Sequence, residues 1–181
     1  MRCDAPMEIR VRIPGWAEKG TITLPDGSQK EITPADAGTY YTIPVQKLEG
    51  MRIVIDFDMP ARYTVANPMV EEDNCQVAVE RGPLVYCMET PDTDVDTLDD
   101  LMFASNAVFE PVPFEIQGRS MTALEGKALC LKRDLYDRNA LYQKFRYSGA
   151  EEKDVRLIPY FAWDNREFGE MRIWMPVMYR D

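Results

Sequence analysis

The sequence contains no histidine among its 181 residues. This absence excludes the Ser–His and Cys–His pairs in which an imidazole activates a nucleophile, and it removes the side chain that most easily serves as a general base near neutral pH. The four cysteines form no C-x-x-C pair, so the common zinc ligand sets are missing as well. We therefore predict no catalytic residue, no metal site and no cofactor in this chain.

Positive charge and long apolar runs are also scarce. The 21 lysines and arginines face 31 aspartates and glutamates, which gives a net charge of −10 and makes nucleic acid a poor partner. No run approaches the about 20 apolar residues that span a bilayer, so no membrane partner is expected. Residues 1–6 lead directly into a strand pattern without a secretory leader, and this predicts a fragment of a larger protein.

Alternating apolar and polar residues dominate the chain, and no long stretch has a helical period. Met7, Ile9, Val11 and Ile13, for example, alternate with charged residues as in a half-buried strand. About a dozen short strands with turn signals between them predict an all-β fold, an antiparallel, jelly-roll-like β-sandwich with little helix. The predicted strands cover 7–13, 20–24, 29–33, 39–45, 51–58, 62–66, 76–81, 84–90, 112–117, 127–133, 155–163 and 170–178.

We expect a single domain over 1–181, with loop insertions at 91–111 and 137–154. The acids at 92, 94 and 96 are spaced as in a calcium loop, but Thr97 and Phe103 replace the required Gly and Glu, which favours a solvated acidic loop. No pair of carboxylates stands out as the acid and base of a glycosidase.

Aromatic residues and isolated arginines are the candidates for binding. Trp16 follows a Pro-Gly turn, and Trp163 closes a strand before Asn165 and Arg166. Aromatic residues build cores and domain contacts more often than sugar platforms, and that interpretation is favoured. Arg81 and Arg166 are predicted to clamp a domain junction, with contact to an anionic or hydroxyl-rich ligand as the alternative.

Three stretches carry a family resemblance. They are IRVRIPGWA at 9–17, VAVERGPLVYCME at 77–89, and LIPYFAWDNR at 157–166 with GEMRIW at 169–174. In this order they resemble the C-terminal region of glycoside hydrolase family 127, the β-L-arabinofuranosidase-like bacterial proteins.

The resemblance implies a parent enzyme whose chemistry lies elsewhere. Catalysis in this family belongs to an N-terminal (α/α)6 barrel with a cysteine nucleophile, a glutamate acid/base and a zinc ion. The adjacent cysteine pair of that site has no counterpart here, so no catalytic or zinc residue is carried over. The implied partners are the parent's own barrel, a second copy in a homodimer and, through the parent, a plant glycan. The bacterial compartment, periplasm or cytoplasm, stays open.

The leading hypothesis is a non-catalytic accessory domain that packs on the barrel, with Arg81, Trp163, Asn165 and Arg166 near the junction. The first alternative is a carbohydrate-binding module that uses exposed aromatic rings, Trp16 and Trp163 among them. The second is a self-sufficient hydrolase.

Overall fold

The computed structural model describes residues 7–45, 52–132, 137, 139–146 and 148–179. These ranges contain fourteen strands and five 3-10 helices of three residues each. No helix in the described ranges is long and apolar enough to cross a membrane. The predicted all-β class is therefore confirmed. The chain divides into two compact units, Met1–Pro60 and Ala61–Asp181, and the single domain over 1–181 stays a prediction.

The first unit contains two small antiparallel sheets. Its strands are β1 (Met7–Arg12), β2 (Gly20–Thr23), β3 (Gln29–Ile32), β4 (Tyr40–Val45) and β5 (Val54–Phe57). β1 pairs with β4, and β2 lies between β3 and β5. The alternation that predicted β1 appears as alternating half-buried and exposed residues. The core of this unit forms around buried Ile13, Ile22, Ile32 and Ile43.

The second unit contains one nine-stranded sheet. Its strands are β6 (Ala61–Thr64), β7 (Gln76–Arg81), β8 (Leu84–Glu89), β9 (Leu101–Ala104), β10 (Glu110–Ile116), β11 (Arg119–Leu131), β12 (Ala150–Pro159), β13 (Met171–Arg172) and β14 (Met175–Met178). The sheet runs β8, β12, β11, β9, β14, β7 and returns to β8, so six strands form a closed barrel. β6, β10 and β13 each pair with one barrel strand from outside the ring.

The prediction of a purely antiparallel sandwich is wrong for this unit. β14 pairs antiparallel with β7 but parallel with β9, where Val177 lies opposite Phe103. This single parallel pair makes the barrel mixed and closes it. The sequence pattern defines which residues of a strand face inward, whereas the choice of neighbouring strand depends on the whole chain. Closure also leaves the six ring strands without an open edge.

The connection at Gly82-Pro83 is a tight turn. Arg81 and Leu84 are directly paired, so the two residues between them form the whole connection of β7 and β8. Gly82 has φ +58°, a left-handed conformation that glycine adopts without strain. Pro83 occupies a turn position, where its missing N–H costs no ladder bond.

The two predicted loop insertions contain ordered elements. The 91–111 segment includes β9, which pairs with both β11 and β14, and a 3-10 helix at Leu98–Asp100. The last residues of the 137–154 segment already belong to β12. β9 has the sequence LMFA, a four-residue apolar run too short to show a period.

Two apolar clusters fill the second unit. The larger one lies around Tyr86, Met88, Phe103, Leu124 and Met175, all at most 1% exposed. The smaller cluster contains the buried residues Cys87, Ile116, Ala123, Ile158 and Ala162. Successive residues of β8 therefore belong to different clusters, and the strand is buried on both faces.

Candidate functional site

The candidate site is a loop at the end of β12, which we call the aromatic loop (residues 160–170). It leaves the sheet after Pro159, paired with Tyr86, and returns at Met171, paired with Glu89 of the same strand β8. It begins with a 3-10 helix, Tyr160–Ala162. A second 3-10 helix, Thr90–Asp92, follows directly after β8. The sheet register therefore brings the two segments together.

Arg166 is the centre of the charged contacts in this loop. Its Nη1 and Nη2 donate to the two oxygens of Asp92 at 2.7 and 2.5 Å, and Nη2 also donates to Glu89 Oε2 at 2.5 Å. The carboxylate side chains are almost completely buried, 1% exposed at Asp92 and 4% at Glu89. The hydrogen bonds to Asp92 raise the pKa of Arg166, and the bond to Glu89 acts in the same direction. Burial lowers this pKa by less, so the guanidinium stays charged.

A second arginine extends the cluster to the neighbouring strands. Arg156 of β12 donates from Nε and Nη2 to Glu125 Oε1 at 3.0 and 2.6 Å, and its Nη1 lies 3.7 Å from Asp92 Oδ1. Its guanidinium carbon lies 4.6 Å from the ring centroid of Phe114, and that of Arg166 lies 5.7 Å from the same centroid. The aromatic ring therefore contacts both cations, an arrangement that favours both charges.

The buried thiol of Cys87 adjoins these charges. Burial raises its pKa to about 12, and the negative charges of Glu89 and Asp92 act in the same direction. A thiol with such a pKa is protonated near neutral pH and is a poor nucleophile. Arg166 donates hydrogen bonds to both of these carboxylates.

Hydrogen bonds fasten the backbone of the aromatic loop at several points. Glu89 Oε1 accepts from the amide of Asp164 at 3.1 Å, where the backbone has φ +59°. The side-chain Nδ2 of Asn165 donates to the carbonyls of Ala162 and Trp163 at 3.1 and 2.9 Å. At the far end, the Glu170 carboxylate accepts from the amide of Leu98 at 2.7 Å.

Two rings of the loop lie parallel. The planes of Tyr160 and Trp163 differ by 5°, and their centroids are 6.1 Å apart. This separation is typical of an offset stack, because rings directly face to face would lie closer. The residues are 43% and 42% exposed, and Phe161 and Phe168 are more exposed still. The loop thus presents aromatic surface on a backbone that is held by hydrogen bonds.

The structure brings together three of the five predicted site residues, Trp163, Asn165 and Arg166. Arg81 is the last residue of β7. Burial raises the pKa of Tyr86, and the charge and hydrogen bond of Arg81 act against this rise without cancelling it. Trp16 belongs to the first unit, where its ring packs edge-on against Phe57 with centroids 5.8 Å apart. For all five, a carbohydrate or interdomain role stays a prediction.

The sequence interpretation missed the partners of Arg166. It included Asp92 in a solvated acidic loop and gave no partner to Glu89. The usable signal was the Thr90-Pro91-Asp92 sequence after a buried strand, since proline favours the start of a helical turn there. Phe161 and Phe168 were also missed, although four aromatic residues within 160–168 are more than a strand end requires.

The residues that the structure describes do not bring together a set of zinc ligands. The sequence contains no histidine, and the described ranges contain no group of three Cys, Asp or Glu side chains arranged to hold a metal ion. The carboxylates that do converge, Glu89 and Asp92, are paired with Arg166.

Comparison with known proteins gives a consistent result. The family model described as the glycoside hydrolase family 127 C-terminal domain matches residues 61–176. A non-reducing end β-L-arabinofuranosidase from Bifidobacterium longum subsp. longum is 32% identical over 173 residues, which are 94% of this chain and 26% of that protein.

Solved structures agree with the sequence match. A protein described as a glycoside hydrolase has a TM-score of 0.83 and 34% identity, over 96% of this chain and 28% of its own. A family 127 β-L-arabinofuranosidase from Geobacillus stearothermophilus T6 has a TM-score of 0.80 and 28% identity, over 98% of this chain and 27% of its own. The chain spans about a quarter of the length of each of these proteins.

Proposed function

The chain belongs to glycoside hydrolase family 127, as the C-terminal domain of its β-L-arabinofuranosidase-like proteins, and from this membership we propose that it is a non-catalytic accessory domain of such a hydrolase. The observation that carries the proposal is the uneven coverage of the comparisons. The relatives match nearly all of this chain, but only about a quarter of their own length. The remaining length of such a protein has room for a separate catalytic domain.

The chemistry of the chain supports a non-catalytic role. General acid/base catalysis needs a group that exchanges a proton with the substrate, and Glu89 and Asp92 are buried and bound by Arg166. We propose that the nucleophile, the acid/base and the zinc implied by the family resemblance all belong to the helical barrel of the parent.

We propose that the domain packs on that barrel through the connection between β6 and β7. Val65, Met69 and Val70 are exposed there by 68%, 89% and 41%. Grouped exposed apolar side chains are typical of contact surfaces, whereas single ones are ordinary. A contribution of the domain to a homodimer belongs to the same proposal.

The packing is tested by cleaving the purified parent polypeptide between its barrel and this domain. The two parts should co-elute in gel filtration after cleavage, and Val65→Asp should separate them. Val108→Asp is the matched control, because Val108 is also 68% exposed and lies outside the proposed contact. Parts that separate without any substitution would contradict the packing.

The non-catalytic role is tested with the isolated 181-residue chain and an aryl β-L-arabinofuranoside. No turnover above the buffer rate is expected. Turnover that a single carboxylate-to-amide substitution abolishes would replace this proposal with a self-sufficient hydrolase.

A second candidate function is carbohydrate binding by the domain itself. It is favoured by one observation, the exposed parallel rings of Tyr160 and Trp163. The two candidates are compatible, because they use different segments of the second unit.

A further inference from the structure

We propose that Tyr160 and Trp163 form a stacking platform for a sugar residue of a neutral, hydroxyl-rich glycan. This inference rests on the second candidate function and gives it a location and a ligand class. It assigns the carbohydrate role to Trp163 and Asn165, and a structural role to Arg166.

The rings have the geometry that stacking requires. A sugar ring presents axial C–H groups on one face, and these groups pack against the electron-rich face of an aromatic ring. The two planes are parallel within 5° and the ring centroids are 6.1 Å apart, so the rings stack on each other and a sugar would pack on an outward face of the pair. With 43% and 42% exposure, each residue keeps a substantial surface open to solvent.

The platform is rigid because its backbone is anchored on both sides of Trp163. Asn165 Nδ2 holds the carbonyls of Ala162 and Trp163, and Glu89 accepts from the amide of Asp164. Arg166 then fixes the following turn through the buried carboxylates. A surface that is ordered before binding loses little conformational entropy when the ligand arrives.

Polar groups beside the rings complement hydroxyl groups. Asp164 and Asn165 are exposed and directly follow Trp163 in the chain. The Nδ2 of Asn165 is engaged with backbone carbonyls, which leaves Oδ1 on the other side of the amide as an acceptor. A carboxylate and an amide oxygen accept hydrogen bonds from hydroxyl groups without a change in charge.

Charge and ring geometry separate a neutral glycan from other ligands. The exposed carboxylates of Asp164 and Glu167, with the net charge of −10, disfavour phosphates and uronates. A quaternary ammonium ion is bound by rings that surround it at different angles, whereas these two are parallel. The observations therefore favour an uncharged sugar.

The test uses the 181-residue chain and linear arabino-oligosaccharides, with polygalacturonate as the anionic control. Binding is measured by isothermal titration calorimetry. Trp163→Ala and Tyr160→Ala should each weaken the affinity by about tenfold or more, as expected when one stacking ring is removed. Tyr142→Ala is the matched control, because Tyr142 is 95% exposed and lies outside the aromatic loop, and it should leave the affinity within about twofold.

A second measurement needs no variant. In the unsubstituted chain, the indole Nε1–H resonance of Trp163 should shift on titration, while that of Trp16 should stay in place. This readout keeps the test decisive if a substitution disturbs the loop.

The possible outcomes distinguish the inference from the functions on which it rests. Glycan binding that both alanine variants retain would overturn the platform but leave carbohydrate binding standing. Absence of binding to arabino-oligosaccharides, xylo-oligosaccharides and cello-oligosaccharides at millimolar concentration would overturn both. Neither result would affect the accessory role, which is decided by cleavage of the parent.

Discussion

Arg166 pairs with two carboxylates that the fold buries almost completely. Removing water from Glu89 and Asp92 is costly, and the cost is offset only by good geometry and by charge pairing. The bidentate contact with Asp92 and the shared Nη2 contact with Glu89 supply both. The same contacts determine the course of the chain after Trp163. One ion cluster therefore stabilises the domain and positions the proposed platform.

At the scale of single residues, we predict that Arg166→Ala lowers the free energy of unfolding by about 3–5 kcal/mol, because two buried carboxylates lose their principal counter-charge. The measurement is urea denaturation of the isolated chain. Arg10→Ala is the control: Arg10 forms an exposed pair with Glu8 at 3.4 Å, and its loss should cost less than about 1 kcal/mol. A cost below about 1 kcal/mol for Arg166→Ala would mean that water reaches the carboxylates.

At the scale of the elements, β11 pairs with two different strands along one of its sides. Its residues from Arg119 to Glu125 pair with β10, whereas Leu129 and Cys130 pair with β9 on the same side. The strand changes neighbours across Gly126, where the segment before β10 passes close to its backbone. A Cβ at Gly126 would lie 2.6 Å from Phe109 Cδ1 and 2.7 Å from the carbonyl oxygen of Val108.

We therefore predict that Gly126→Ala destabilises the chain by about 1–3 kcal/mol, the range typical of overpacking, because the backbone of Val108 cannot rotate away. Thermal unfolding followed by circular dichroism checks this value. Gly15→Ala serves as the comparison, since a Cβ there meets nothing within 4 Å, and it should change stability by less than about 0.5 kcal/mol. Equal effects of the two substitutions would refute the close approach.

At the scale of the whole molecule, the four-residue strand β14 determines whether the barrel closes. It joins β7 to β9 and so closes the six-stranded ring. The amide of Val177 donates to the carbonyl of Cys75 at 3.0 Å, and the carbonyl of Met178 accepts from the amide of Ser105 at 2.9 Å. Met175 places its side chain in the barrel core at 1% exposure. Closure thus combines backbone hydrogen bonds with burial of an apolar side chain.

Met175→Ala should accordingly lower the free energy of unfolding by about 2–5 kcal/mol, through lost burial and the cavity left behind. Chemical denaturation of the isolated chain measures the change. The same substitution at Met69, which is 89% exposed, should cost less than about 0.5 kcal/mol. If the two substitutions lower the free energy of unfolding equally, Met175 is not a core residue of the barrel.

Local patterns predicted the strands of this protein better than its loops. The alternation of Met7, Ile9 and Val11 with charged residues gave β1 almost to its bounds, because the two faces of a strand meet different surroundings. β9 was missed because four apolar residues define no period. The start of β11 was missed because its polar residues resemble a turn until its neighbours β10 and β12 are known.

The candidate site was predictable only in part. The cluster of aromatic residues before Asn165 and Arg166 indicated the aromatic loop, since a strand end does not require it. The partners of Arg166 lie 74 and 77 positions away in the chain, at Asp92 and Glu89. No local spacing relates such residues, and the sequence offers 31 acids as possible partners.

The sequence by itself determined that this chain is built from strands, that it contains no imidazole, and which residues face inward in the strands with a clear two-residue period. These properties follow from side-chain chemistry and from the two-residue period of an extended backbone, which act locally. Only the tertiary structure decided that six strands close into a mixed barrel and that Arg166 binds two buried carboxylates. Strand neighbours and ion-pair partners depend on contacts between distant segments, which form only when the whole chain has folded.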